Sequence, residues 1–111
     1  MLYVPLWDYQ IGLVHLLQSR TPEAIPWLET ARNQFPEQSI IHSYLAAGSA
    51  LSGDTERGAA ELAEARRLIA DDRFSSIARL KAVGSPGVPK IRALFEATFY
   101  AGLRKAGIPE K

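Results

Sequence analysis

Apolar residues recur along the chain at intervals of three and four, and no stretch alternates apolar with polar residues long enough to make a strand. Turn residues cut this pattern into six helix-length segments. The first runs from about Pro5 to Ser19 on a stripe of Leu6, Tyr9, Leu13, Leu16 and Leu17, with Pro5 suited to a first turn. The second opens at Thr21-Pro22-Glu23, with Thr21 as the expected N-cap, and runs to about Asn33 through Ala24, Trp27, Leu28 and Ala31. Pro26 removes one early hydrogen bond there and predicts a distorted first turn. The third follows Phe35-Pro36 and runs to about Ser52, where Gly53 stops it; the fourth runs from Asp54-Thr55-Glu56 to about Ile69. Asp71 and Asp72 are expected to cap a fifth segment, about Arg73 to Val83. Past the loop Gly84-Ser85-Pro86-Gly87, a sixth runs from about Pro89 to Ala106. Its predicted inner stripe is Ile91, Phe95, Phe99 and Leu103, and Gly107-Ile108-Pro109 is its terminator. The prediction is an all-α chain.

The segments also repeat. Laying segments one and two over three and four gives a constant offset of 34 residues, pairing Gly12 with Ala46, Ala24 with Gly58, Leu28 with Leu62 and Ala31 with Ala65. Antiparallel helices need small residues where their backbones approach, and these positions supply them, with Leu28 and Leu62 beside them. A hairpin that is apolar on both sides cannot bury itself and must stack on the next.

In this register the chain resembles the tetratricopeptide repeat family, whose pattern is W-x2-L-G-x2-Y, then A-x3-F, then a closing Pro. The first copy reads Asp8-x2-Ile11-Gly12-x2-His15, Ala24-x3-Leu28, Ala31 and Pro36. The second reads His42-x2-Leu45-Ala46-x2-Ser49, Gly58-x3-Leu62 and Ala65, with Ala70 where Pro would stand. Asp8 and His42 replace the aromatic, and His15 and Ser49 replace the tyrosine. The resemblance covers residues 4–70 and implies an antiparallel α-α superhelix in one domain, 1–111. Repeat 1 would span about 4–36 and repeat 2 about 38–70, with a partial third helix and a C-terminal capping helix over 72–108. The tail carries a second resemblance. IARLKAV, a Pro/Gly loop and a helix ending AGLRKAGIPE (residues 77–110) are similar to the far C-terminus of bacterial adenylate/guanylate cyclases with tetratricopeptide-like domains. That implies a regulatory tail whose catalytic domain lies in other sequence, since this chain has no mixed sheet to carry a cyclase's metal-binding carboxylates.

Composition adds exclusions. With 47% hydrophobic and 23% charged residues the chain is an ordinary globule, and the absence of cysteine excludes disulfides, thiolate metal sites and a cysteine nucleophile. The net charge of +1 conceals an asymmetry: residues 1–72 carry −5 and residues 73–111 carry +6. The basic third offers Arg92, Arg104 and Lys105 to an acidic partner, but no aromatic is interleaved with them as a stacking platform, which disfavours nucleic acid. A solvated helix face that complements the acidic front is the simpler account. His15 and His42 fall at repeat-signature positions and read as packing residues. No serine has a paired base, no phosphate-cradling glycine motif occurs, and Asp71-Asp72 reads as a cap. The expectation is therefore no enzyme, no metal and no cofactor. MLYVPLWDYQ has no basic residue before its apolar stretch, and no apolar run reaches the roughly 18 to 20 residues of a membrane span, so a cytoplasmic protein is expected.

What remains is a surface. In the family the first helix of each hairpin lines a concave groove. The resemblance thus implies Leu6, Tyr9, Gln10, Leu13, Leu16 and Leu17 from one repeat, Ile40, Ser43, Tyr44, Ala47 and Leu51 from the next, and Phe74, Ile77 and Lys81 from the partial third. Tyr9, Leu13, Tyr44, Leu51 and Phe74 are the expected apolar contacts. Such a face takes a protein or peptide partner, a second copy, or the chain's own last helix. The sequence predicts a non-catalytic protein-protein interaction or self-association module, the regulatory C-terminal part of a bacterial signalling protein such as a nucleotidyl cyclase. Binding of nucleic acid or another acidic partner by the basic third is the alternative.

Overall fold

The computed structural model describes residues 6–84 and 87–111, with side chains from Gln10 onward; Pro5, Ser85, Pro86 and the side chains of Leu6 and Tyr9 lie outside the described residues. Helices α1 (Leu6–Leu17) and α2 (Thr21–Gln34) form one antiparallel hairpin, and α3 (Ser39–Leu51) and α4 (Thr55–Leu68) form a second. A 3-10 turn at Arg73–Ser75 precedes α5 (Ile77–Val83). Then come α6 (Pro89–Phe95), a π-helical turn (Glu96–Tyr100) and α7 (Ala101–Ala106), which run on as one last helix. Among the described residues there is no β-strand. The chain is all-α, as its periodicity predicts.

The 34-residue register reaches the hydrogen bonds of the turns. Arg20 N–H donates to His15 O (2.8 Å) and Ser19 N–H to Leu16 O (3.0 Å); the shifted pairs are Asp54 to Ser49 (2.9 Å) and Gly53 to Ala50 (3.0 Å). Each turn needs a left-handed residue. Gly53 holds it at φ +94°, whereas in the first turn Ser19 holds it at φ +61°. The following caps differ too. Asp54 accepts from Arg57 N–H at 3.1 Å, but its counterpart is Arg20, which has no side-chain oxygen to offer. The N-cap of α2 is therefore Arg20, not Thr21, which is already helical. Pro26 sits inside a continuous α2, where the helix simply proceeds without that one bond.

Small residues set the crossings where the repeat places them. A Cβ on Gly12 would meet Leu28 side-chain carbons at 2.7 Å, and one on Gly58 would meet Ala46 O at 3.0 Å and Ala50 Cβ at 3.1 Å. The hairpins stack through α2 and α3, where Gly48 faces Ile25 and Thr21. The last helix then lies along α3 and α4, and its π turn reaches α1. Here the approach is closest: a Cβ on Gly102 would stand 2.5 Å from Ala47 O and 2.7 Å from Ala47 Cα.

The fifth segment differs from the expected single helix over Arg73–Val83. Ser76 is extended (φ −160°, ψ 162°) and breaks it, and Ser76 Oγ, rather than Asp71 or Asp72, caps α5 by accepting from Arg79 N–H at 3.1 Å. The first amides of α5 are met by the C-terminal tail: Ile77 N–H donates to Pro109 O (2.8 Å) and Ala78 N–H to Glu110 O (2.9 Å). The two parts of the tail singled out in the sequence thus hold each other. Gly107 closes α7 in the left-handed region (φ +110°), with Ile108 N–H on Leu103 O at 3.0 Å, the expected terminator. The predicted inner stripe of the last helix holds for Phe99 and Leu103, which are buried, but Ile91 is exposed. A strict four-residue spacing outruns the helix by about 40° per step. The wider π turn absorbs that drift around Phe99, and α6 extends beyond the body it would have packed on.

Two predictions follow from these geometries. Importing the second turn into the first, with Ser19→Gly and Arg20→Asp, should raise unfolding stability by about 1–2 kcal/mol in denaturant titration, from relief of left-handed strain and a new cap. Gly102→Ala should cost about 1–3 kcal/mol by overpacking, and more than Gly12→Ala. The reason is that Gly102 meets backbone, while Gly12 meets the movable end of Leu28.

Candidate interaction surfaces

Of the expected groove contacts, Tyr44 and Phe74 are core residues, while Leu13 and Leu51 are half-buried against the core. Tyr9 lies outside the described side chains. Tyr44 stacks edge-on against Phe99 of the last helix (centroids 5.1 Å apart, planes at 73°), and Phe95 meets Phe99 in the same manner at 6.0 Å. The face made by α1 and α3 is therefore covered by the chain's own last helix. Tyr44 is not open to a partner while that helix is in place, and Phe74 is buried in the core. A cavity of about 230 Å³ remains beside it, lined by Ile40, Tyr44, Leu80, Phe95, Phe99 and Tyr100, with Arg73 and Val83 at its wall.

Between the hairpins lies a polar network that the sequence did not disclose. His42 and Glu61 are both buried; His42 Nδ1 and Glu61 Oε1 share a 2.7 Å hydrogen bond, and His42 Nε2 donates to Pro36 O at 2.7 Å. Arg32 of α2 donates to Glu61 Oε2 at 2.8 Å. The cluster joins α2, the α2–α3 loop, α3 and α4, and every charged member has an opposite partner, as burial requires. A second cross-hairpin pair, Arg57 with Glu29, lies nearby on the surface side. His42 is a packing residue, as expected, but a hydrogen-bonded one. The repeat does not announce it, for His42 and Glu61 stand where the first copy has Asp8 and Trp27. Among the described residues no group of three or more His, Asp or Glu side chains is arranged to hold a metal.

Four of the eight bases of the basic third are ion-paired among the described residues, two of them with Asp71 and Asp72 just before it. Arg73 pairs with Asp71 (2.8 Å), Arg79 with Asp72 (3.3 Å), Lys81 with Glu96 (2.8 Å), and Arg104 with both Glu96 (2.7 Å) and Glu110 (2.8 Å). Lys81 also stands 5.0 Å over the ring of Tyr100. Hydrogen bonds from Arg73 pull the Asp71 carboxyl down to about 2, and those from Lys81 and then Arg104 hold Glu96 below its ordinary value. Both groups have depressed values, so what they contribute is present above the ordinary carboxylate range and is lost as pH falls through their lowered values. Of the candidate bases, Arg104 is thus engaged, whereas Arg92 and Lys105 have no ion pair among the described residues.

One apolar surface that stays open lies on the first hairpin. Ile11, Val14 and Trp27 are 36%, 52% and 40% exposed, and no other large apolar side chain of the two hairpins is so exposed among the described residues. Gln10, Ile11, Val14 and His15 line an open depression of about 380 Å³, and His15 Nδ1 is buried there without a hydrogen-bond partner. A second exposed group, Val83, Val88, Ile91 and Leu94, follows α5 and α6. In the sequence Ile11 and Val14 lie beside the stripe of the first segment and Trp27 among the apolar positions of the second, with no sign that they are exposed. The chain matches no family model, no curated protein and no solved structure. No helix among the described residues is long and apolar enough to cross a membrane.

Removing the carboxylate at the centre of the polar network should be costly. Glu61→Ala strands His42 and Arg32 in a buried site, and a loss of about 3 kcal/mol is expected in equilibrium unfolding. Glu61→Gln keeps an acceptor for Arg32 and should lose clearly less.

Proposed function

We propose that the chain is a non-catalytic protein-protein interaction module of the tetratricopeptide-like kind, acting as the regulatory C-terminal part of a bacterial signalling protein such as a nucleotidyl cyclase, in the cytoplasm. The 34-residue register of helices, crossings and turns supports the first part, and the mutual contact of the two tail elements agrees with the second. The observation that carries an interaction role is the open apolar face of Ile11, Val14 and Trp27. Exposed apolar side chains grouped together, as Ile11 and Val14 are at one depression on α1, are characteristic of a docking site. The reading moves the contact from the groove, which the last helix fills, to the outer face of the first hairpin.

A phosphate or nucleic-acid role for Arg92, Arg104 and Lys105 has one observation in its favour, that Arg92 and Lys105 lack an ion-pair partner among the described residues. With Arg104 held by two carboxylates, that patch has fewer charges to offer than the sequence counts.

A photo-crosslinking amino acid placed at Val14, and separately at exposed Glu56 on α4, tests the interaction role inside cells. The expected result is a protein adduct from position 14, identified by mass spectrometry, that disappears with Trp27→Glu, and none from position 56. Absence of any protein adduct at 14 would remove the interaction reading.

A further inference from the structure

We propose that the cavity beside the last helix is a binding site for a small aromatic carboxylate, with aromatic side chains around the ligand's ring and Arg73 on its carboxylate. The site is separate from the open face of the first hairpin and does not rest on the interaction reading. Its walls come from α3, the 3-10 turn, α5 and the last helix, and they enclose about 230 Å³. An apolar cavity of roughly 150 Å³ takes up a benzene-sized molecule, so this one has room for a ring system bearing a short acidic arm. Entry needs no movement of the last helix, because the space exists with that helix in place.

The π turn is what gathers the rings. On an α-helix, residues five apart stand roughly 140° apart around the axis. A turn closed from i to i+5 brings them back to one side. Phe95 and Tyr100 meet there with centroids 6.2 Å apart. Phe99 stands 5.5 Å from Tyr100 and meets Tyr44 edge-on at 5.1 Å. These four rings border one space with Leu80, and rings so disposed offer both edges and faces to a flat π system. A π turn is an uncommon device that occurs frequently at functional sites.

Charge selects the class of ligand. Arg73 is the one charged residue in the lining among the described residues, and no carboxylate stands there with it. Asp71 takes its Nε (3.0 Å) and Nη2 (2.8 Å), while Nη1 makes no hydrogen bond among the described residues. Those donors remain for an anion. Because Asp71 already answers the guanidinium, a single negative charge is the match, and a dianion such as phosphate would be repelled by Asp71.

Calorimetric titration of the 111-residue chain with indole-3-acetate, and with indole as its uncharged counterpart, tests both parts of the assignment. Each should bind at one site, with indole-3-acetate at least roughly tenfold tighter, as a charge-assisted hydrogen bond provides. Amide shifts in NMR should centre on Leu80 and Tyr100. Arg73→Gln should erase the preference and leave indole binding as it was, and Arg73→Lys should restore part of it. Leu80→Trp, which fills the space, should abolish binding of both compounds with helicity unchanged. Saturable binding of neither compound, or binding indifferent to Leu80→Trp, would overturn the site. Equal affinities for the two compounds, or a preference that outlasts Arg73→Gln, would overturn the carboxylate class.

Discussion

The contact on which the rest of the structure depends is the approach of Gly102 to Ala47. Helix backbones come this close only where side chains are missing, and a Cβ at 102 would fall inside Ala47's own backbone. Because the backbones touch, Leu103 and Ala106 are driven into the body and Phe99 reaches Tyr44. The π turn follows from the same constraint, for it keeps Phe99 and Leu103 directed inward together. Ile108 is carried into the core, and the tail behind it lies within reach of the bare amides of α5. One missing methyl group thus organises the whole C-terminal third.

Between the hairpins a different kind of force operates. Stacking through Gly48, Ile25 and Leu45 is apolar and non-directional, but the Arg32–Glu61–His42 cluster has one geometry in which all partners are met. Buried pairs of this kind add little net stability over an apolar replacement, yet any shift of one hairpin along the other leaves charges unpaired. The cluster fixes register, while the apolar contacts hold the hairpins together.

Much of this was legible in the sequence because it is local or periodic. The helices, the crossings at Gly12 and Gly58, and the Gly107 terminator follow from spacing and from what glycine alone can do. Local rules misled at two helix starts: the α2 N-cap position falls at Arg20, because the shape of the preceding turn fixes it regardless of which residue occupies it, and the fifth segment divides at Ser76, so that Asp71 accepts from Arg73 N–H at the 3-10 turn while Ser76 caps α5. What is tertiary was not legible. Glu61 lies 19 residues from His42 and 29 from Arg32, and no pattern along the chain announces their meeting. Tyr44 reads as an apolar position on an inner face, which it is, but only the three-dimensional path of the last helix determines that it is covered.

That path has an energetic consequence for any partner. Opening the α1–α3 face would expose Phe99, Leu103, Ile108 and the residues beneath them, each large apolar side chain costing about 1.5–3 kcal/mol. A few such side chains approach the roughly 5–15 kcal/mol that separates a small folded domain from its unfolded chain. A ligand entering the groove would compete with folding itself. One meeting Ile11, Val14 and Trp27 would compete only with water, and its binding energy would go into the complex rather than into dismantling the core. The outer face of the first hairpin is consequently where this architecture can bind a protein partner without first coming apart.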